Sequence, residues 1–114
     1  MQDKEVIEFT KSISGKEIRL TFKQWFHIIE SHDYMGGNIE KVMETISSPD
    51  YIIKGIKGEL IAIKHYHNTT IGEKCCVVVY KEEEKEGFII TAFFTSKPET
   101  IRKGGVVWQK QKLE

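Results

Sequence analysis

The sequence predicts an α+β fold, with an N-terminal β-hairpin and two helices packed on an antiparallel β-sheet meander. Two observations carry that expectation. Residues 22–46 place apolar side chains at helical spacing, while the chain beyond Tyr51 breaks into short β-branched runs divided by glycines and polar turns. The connections between those runs are too short for crossovers, so consecutive strands must be antiparallel. At 114 residues the chain reads as one domain, residues 1–112, with Leu113-Glu114 taken as an expression remnant of no functional weight.

Each element has its own warrant. Residues 6–10 alternate well enough for a strand, Gly15 admits the positive φ of a tight turn, and residues 18–20 form the return strand. Thr21 and Gln24 have the spacing of a capping box, so a helix starts near Phe22. Phe22, Trp25, Phe26 and Ile29 make the stripe expected to be buried, and the helix should stop near Asp33 and Tyr34, ahead of Gly36-Gly37. A second helix, capped by Asn38 and reaching about Ile46, buries Ile39, Val42, Met43 and Ile46. Strands follow at residues 51–56, 60–66, 75–81 and 88–95, with a polar loop at 67–73 and an acidic turn before Gly87. The 75–81 run is the most β-branched and belongs at the centre of the sheet. Val106-Val107-Trp108 adds a late edge strand or packs back on the sheet.

Composition narrows the function classes. Seventeen basic residues balance seventeen acidic ones, which disfavours a strongly basic nucleic-acid binder. The balance is not uniform. Lys97, Arg102, Lys103, Lys110 and Lys112 oppose Glu99 alone within residues 96–112, a local charge of +4 suited to a phosphate backbone. Glu82, Glu83, Glu84 and Glu86 crowd one turn as a solvated face. Asp3, Lys4 and Glu5 interrupt any signal-peptide run, and no window nears the roughly 20 apolar residues of a membrane span. A cytoplasmic protein with no membrane partner is expected. Cys75 and Cys76 are adjacent, would point to opposite faces of a strand, and read as reduced thiols. There is no CxxC for a cysteine zinc site.

Histidine is the side chain best suited to proton transfer near neutral pH, and two lie near the end of the first helix. At about 100° per residue, His32 falls close to Trp25 at the edge of the apolar stripe, while His27 falls well outside it. The two therefore make no acid–base pair by themselves. His65 and His67 share a strand face, but zinc would need a third ligand that no sequence feature names, so neither a metal nor a cofactor is expected. Thr91 and Thr95 share a face with Ile89 and Phe93 by strand alternation, and a threonine hydroxyl there can donate to a phosphate oxygen. No phosphate-binding glycine loop, GxSxG elbow or HExxH motif occurs.

Four stretches in order carry a resemblance. They are Trp25-Phe26-His27-Ile28 with His32, the step from Ile46 through Ser47-Ser48-Pro49-Asp50 to Ile52, the run 74–81, and Phe88-Ile89-Ile90-Thr91-Ala92-Phe93-Phe94-Thr95. Together, over about residues 21–108, they resemble the phage-associated members of the barnase–EndoU–colicin–RelE (BECR fold) superfamily of small nucleases. Asp33-Tyr34 stands where that pattern has Pro-Glu, and Phe93 where it has Tyr. The resemblance implies a RelE/barnase-like domain that cleaves RNA without a metal, by attack of the 2′-hydroxyl on the adjacent phosphate to leave a cyclic phosphate. It implies His32 as the leading acid or base with His27 as second candidate, Thr91 as phosphate donor, and Lys74 or Lys64 as the cation. Tyr66 and Trp108 would stack on a base, and Thr95 and Lys97 would touch the backbone. RNA is then the expected partner, and a toxin-like role would add a protein inhibitor or antitoxin. The competing expectation is a catalytically inactive module on the same fold, meeting a protein partner through the surface around Trp108 and the basic tail.

Overall fold

The computed structural model describes residues 5–101 and 104–111. Arg102, Lys103 and Lys112 of the basic segment, and Leu113-Glu114, lie outside them. The expected elements form in the expected order: β1 (Val6–Lys11), β2 (Glu17–Thr21), α1 (Phe22–Ser31), α2 (Ile39–Ser47), β3 (Tyr51–Lys54), β4 (Leu60–Tyr66), β5 (Lys74–Glu82), β6 (Glu86–Thr95) and β7 (Val106–Gln109). Short 3-10 turns occupy Asp33–Met35 and Pro98–Thr100. The seven strands make one sheet in the order β1-β2-β6-β5-β4-β3-β7, with β5 at its centre. No helix among the described residues is long and apolar enough to cross a membrane.

One join departs from the antiparallel pattern. β2 runs parallel to β6, pairing Ile18 with Gly87 and Arg19 with Phe88. Short connections force antiparallel pairing only on consecutive strands, and these two are far apart in sequence. Gly87 permits the join, since a Cβ there would lie 2.2 Å from the Lys81 carbonyl oxygen and 2.8 Å from the Ile18 side chain. An Arg19–Glu86 ion pair flanks it.

The sheet buries both faces. On the helix side, Ile18, Leu20, Cys76, Val78, Tyr80, Ala92 and Phe94 pack against Trp25, Ile28, Val42 and Ile46. On the other side, Ile53, Ile61, Ile63 and Val77 form a second, smaller core with Tyr51, Cys75, Val79, Phe93 and Ile101 around it. A bulge in β6 decides which of its residues join each set, because Val79 pairs with Thr91 but Tyr80 pairs with Ile89, leaving Ile90 as the extra residue. Ile89 therefore turns to the helix side, while Thr91, Phe93 and Thr95 keep the opposite face. Simple alternation had put all four together.

The first helix is rotated from its expected setting. Trp25 and Ile28 are buried, whereas Phe22 and Phe26 are 54% and 53% exposed. Only half of the capping box closes. Thr21 Oγ1 accepts the Gln24 amide at 3.1 Å, but the Gln24 side chain donates across to the Ile90 carbonyl instead of returning to Thr21. β2 pairs only with the first residues of β6, so the edge of β6 beyond Phe88 lies open to α1, and Gln24 covers it. That anchor sets the rotation of the helix. In α2, Asn38 occupies the N-cap but its amide donates to the Tyr34 and Gly36 carbonyls, tying the 3-10 turn to the helix.

Candidate functional site

α1 ends at Ser31, and His32 is its C-cap, with its backbone N–H donating to the Ile28 carbonyl. The departure from helical geometry swings the half-buried His32 ring over the edge of β6. Its ring centre lies 5.4 Å from that of Phe93, at an interplanar angle of 34°. Tyr34 closes the other side. Its hydroxyl donates to the Phe94 carbonyl at 3.4 Å and shares a hydrogen bond with His32 Nδ1 at 3.3 Å. The Tyr34 ring stacks on Phe94 at 5.7 Å. Burial pushes the Tyr34 hydroxyl above its ordinary pKa, so it stays protonated and able to donate at neutral pH. With Nδ1 engaged by Tyr34, the remaining ring nitrogen is the one left for proton transfer.

Thr91 and Thr95 flank Phe93 on the same face, each two residues away, or roughly 6–7 Å along the strand. His32, Thr91 and Thr95 thus belong to one surface. Lys74 starts from the opposite face, paired with Tyr66, but its ammonium reaches Ser96 Oγ at 2.8 Å, beside Thr95. The Lys97 amide donates to Thr95 Oγ1 at 3.1 Å, which fixes the chain just past the strand. The second half of β6 therefore carries Thr91 and Thr95 on the face that Phe93 shares with the His32 ring, with the Lys74 ammonium on Ser96 just past the strand.

The remaining candidates lie elsewhere. His27 is exposed on the outer side of α1, its Nδ1 3.5 Å from Glu30 Oε1. Lys64 donates to the Ser48 carbonyl at the C-cap of α2, where a cation complements the helix dipole. Tyr66 lies on the helix side, away from Thr91, with its hydroxyl on Glu44 and the Lys41 ammonium 5.5 Å from its ring. Trp108 packs with the helix-side core on β7, four strand spacings or about 19 Å from β6. Cys76 is buried and its thiol pushed up to about 12, and Cys75 is raised by burial and by Asp50, Glu99 and Glu73, so both free thiols favour the protonated form.

Sequence reasoning missed Tyr34. Its signal was present in the spacing, since residue 34 follows His32 directly out of the helix, but only the position of β6 shows what its hydroxyl touches. The third donor beside the His65 and His67 pair, Glu73, was also missed. His65, His67 and Glu73 converge at the ends of β4 and β5, with Glu73 Oε2 2.6 Å from His65 Nε2 and 3.7 Å from His67 Nδ1. Set against known proteins, the chain matches no family model, no curated protein and no solved structure.

Proposed function

We propose that this protein is a small, toxin-like endoribonuclease that cleaves RNA without a metal at the end of β6. The observation that carries the reading is the His32 ring, held by Tyr34 against Phe93 on the same sheet face as Thr91 and Thr95. The reading also draws on the sequence resemblance to the BECR-fold nucleases. In this scheme the 2′-hydroxyl of the substrate attacks the adjacent phosphorus and the bond to the 5′-oxygen breaks, giving a cyclic phosphate and a free 5′-hydroxyl. His32 moves the proton at one of those two oxygens. Thr91 or Thr95 donates to a nonbridging phosphate oxygen, and Lys74 and Lys97 offset the charge that develops there. His27, Lys64, Tyr66 and Trp108 are outside this scheme because of where they lie.

The test is incubation of labelled RNA with the purified chain in excess EDTA. Cleavage to cyclic-phosphate ends that is lost in His32→Ala supports the reading. RNA left intact at high protein concentration sinks it. It would favour instead a non-catalytic module with a protein partner, for which the exposed Phe22 and Phe26 on one side of α1 are the supporting observation.

A further inference from the structure

We infer that His65, His67 and Glu73 form a binding site for one divalent transition-metal ion of borderline softness, such as Zn2+, with an open coordination position. The inference is independent of the ribonuclease reading. His65 and His67 are two residues apart at the end of β4 and so share a face. Glu73 leads into β5, where Lys74 pairs with Tyr66 and Cys75 with His65, so the next step outward brings Glu73 opposite His67 on that same face. The three donor atoms lie within 4.8 Å of one another, and among the described residues this is the one cluster of its kind. The two imidazole rings meet edge to face at 4.7 Å.

An ion about 2.0–2.1 Å from each donor in tetrahedral geometry needs donors roughly 3.3–3.5 Å apart. The separations from the Glu73 oxygen, 2.6 and 3.7 Å, bracket that range, and small rotations of exposed side chains meet it. The backbone behind the donors is fixed. The Thr69 amide donates to the Gly72 carbonyl at 3.0 Å, the Gly72 amide returns to Thr69 at 3.2 Å, and the Thr69 hydroxyl also donates to the Gly72 carbonyl. Gly72 adopts a φ of +96°, which favours glycine at the residue that aims Glu73 back toward the histidines. On the other strand the His65 amide donates to Asp50 Oδ2 at 2.7 Å.

Donor chemistry selects the ion. Two imidazoles and one carboxylate suit zinc, nickel or copper, whereas Mg2+ and Ca2+ prefer oxygen-only sets. Three protein ligands leave a fourth position for water or an incoming ligand. His65, His67 and Glu73 are all exposed, so the expected affinity is moderate, and the ion would pin together the two strand ends that frame the 67–73 loop.

The experiment titrates the untagged full chain with ZnCl2, followed by calorimetry and by histidine ring resonances, with MgCl2 as the comparison. The expected result is one saturable equivalent of Zn2+, with His65 and His67 resonances moving and those of His27 and His32 staying in place. At a hundredfold excess over Kd the melting temperature should rise by roughly 10 °C. Glu73→Gln should weaken binding about tenfold or more, and the double substitution His65→Ala, His67→Ala should abolish it. Because all three positions are exposed, circular dichroism of both variants should match the parent. A titration that never saturates, or stoichiometric binding that survives the double substitution, overturns the inference.

Discussion

The face of the sheet that the helices leave uncovered carries histidines at two places, and they are built in opposite ways. His32 is held singly on β6, its ring against Phe93 and its Nδ1 on a tyrosine that is itself tied to the β6 backbone. His65 and His67 stand together at the end of β4 with a carboxylate within reach of both. One site positions a ring by packing and leaves one nitrogen for a proton. The other brings several lone pairs to one point and has almost no packing around it. The contrast teaches that histidine count says little about chemistry. What surrounds each ring decides whether it moves protons or collects ions.

Several measurements would break or sharpen that contrast. The largest effect is expected at His32. Replacing it with Ala should lower RNA cleavage by about 10²–10⁴-fold, while His65→Ala should leave cleavage in EDTA unchanged. Equal losses from both substitutions would erase the distinction between the two places. Next is the support beneath His32. Ile28 is fully buried in α1, and Ile28→Ala should cost about 2–5 kcal/mol in urea unfolding, whereas the exposed Phe26→Ala should stay within about 0.5 kcal/mol. A large Phe26 effect would restore the apolar stripe that the spacing alone predicts. Tyr34→Phe removes only long hydrogen bonds, so it should lower kcat by about three- to tenfold with KM unchanged, as expected of a positioning residue. An unchanged kcat would remove Tyr34 from the scheme.

The smallest effect concerns Asp50, which braces the backbone of His65. Burial raises its carboxyl, but the His65 amide and the Lys110 ammonium outweigh that and hold it below the ordinary carboxylate range. A carboxyl depressed in the folded state stabilises the fold above its unfolded pKa and loses that contribution as pH falls through the folded value. Asp50→Asn should therefore cost about 1 kcal/mol or less at pH 7, after allowing for solvent screening, and the difference from the parent should shrink as pH falls through the ordinary carboxylate range and vanish once the folded carboxyl is protonated. A difference that persists at low pH would mean the carboxylate charge is not what braces His65.

Much of this architecture was legible because periodicity is local. The apolar spacing of Ile39, Val42, Met43 and Ile46 gave α2, and the β-branched run around Val77–Val79 gave the central strand. (Its bounds in the structure are wider, Lys74–Glu82.) Three things were not legible, each for a long-range reason. The rotation of α1 depends on Gln24 finding the Ile90 carbonyl across the molecule. The face of Ile89 depends on a bulge that consecutive apolar residues conceal, since Phe88-Ile89-Ile90 fits either register. Glu73 as a third donor depends on the pairing of β4 with β5, which places it opposite His67 although the loop between them has no periodicity to read. For the same reason the candidate list for the His32 surface mixed side chains from both faces of the sheet, Tyr66 from the helix side and Thr91 from the other.

The parallel join of β2 to β6 bears on how the chain reaches this state. The Ser12 hydroxyl donates to Glu82 across 70 residues of sequence, and the join itself spans a comparable loop. The β1–β2 hairpin is synthesised before β6, yet its second strand has only β1 as a neighbour until β6 has been made and has paired with β5. Closing so long a loop is entropically costly and slows folding relative to a fold of purely local contacts. Until then Ile18 and Leu20, fully buried in the finished domain, stand uncovered. The nascent chain is thus most prone to aggregation between completion of the hairpin and arrival of β6, and a chain truncated before Glu86 should expose that hazard permanently.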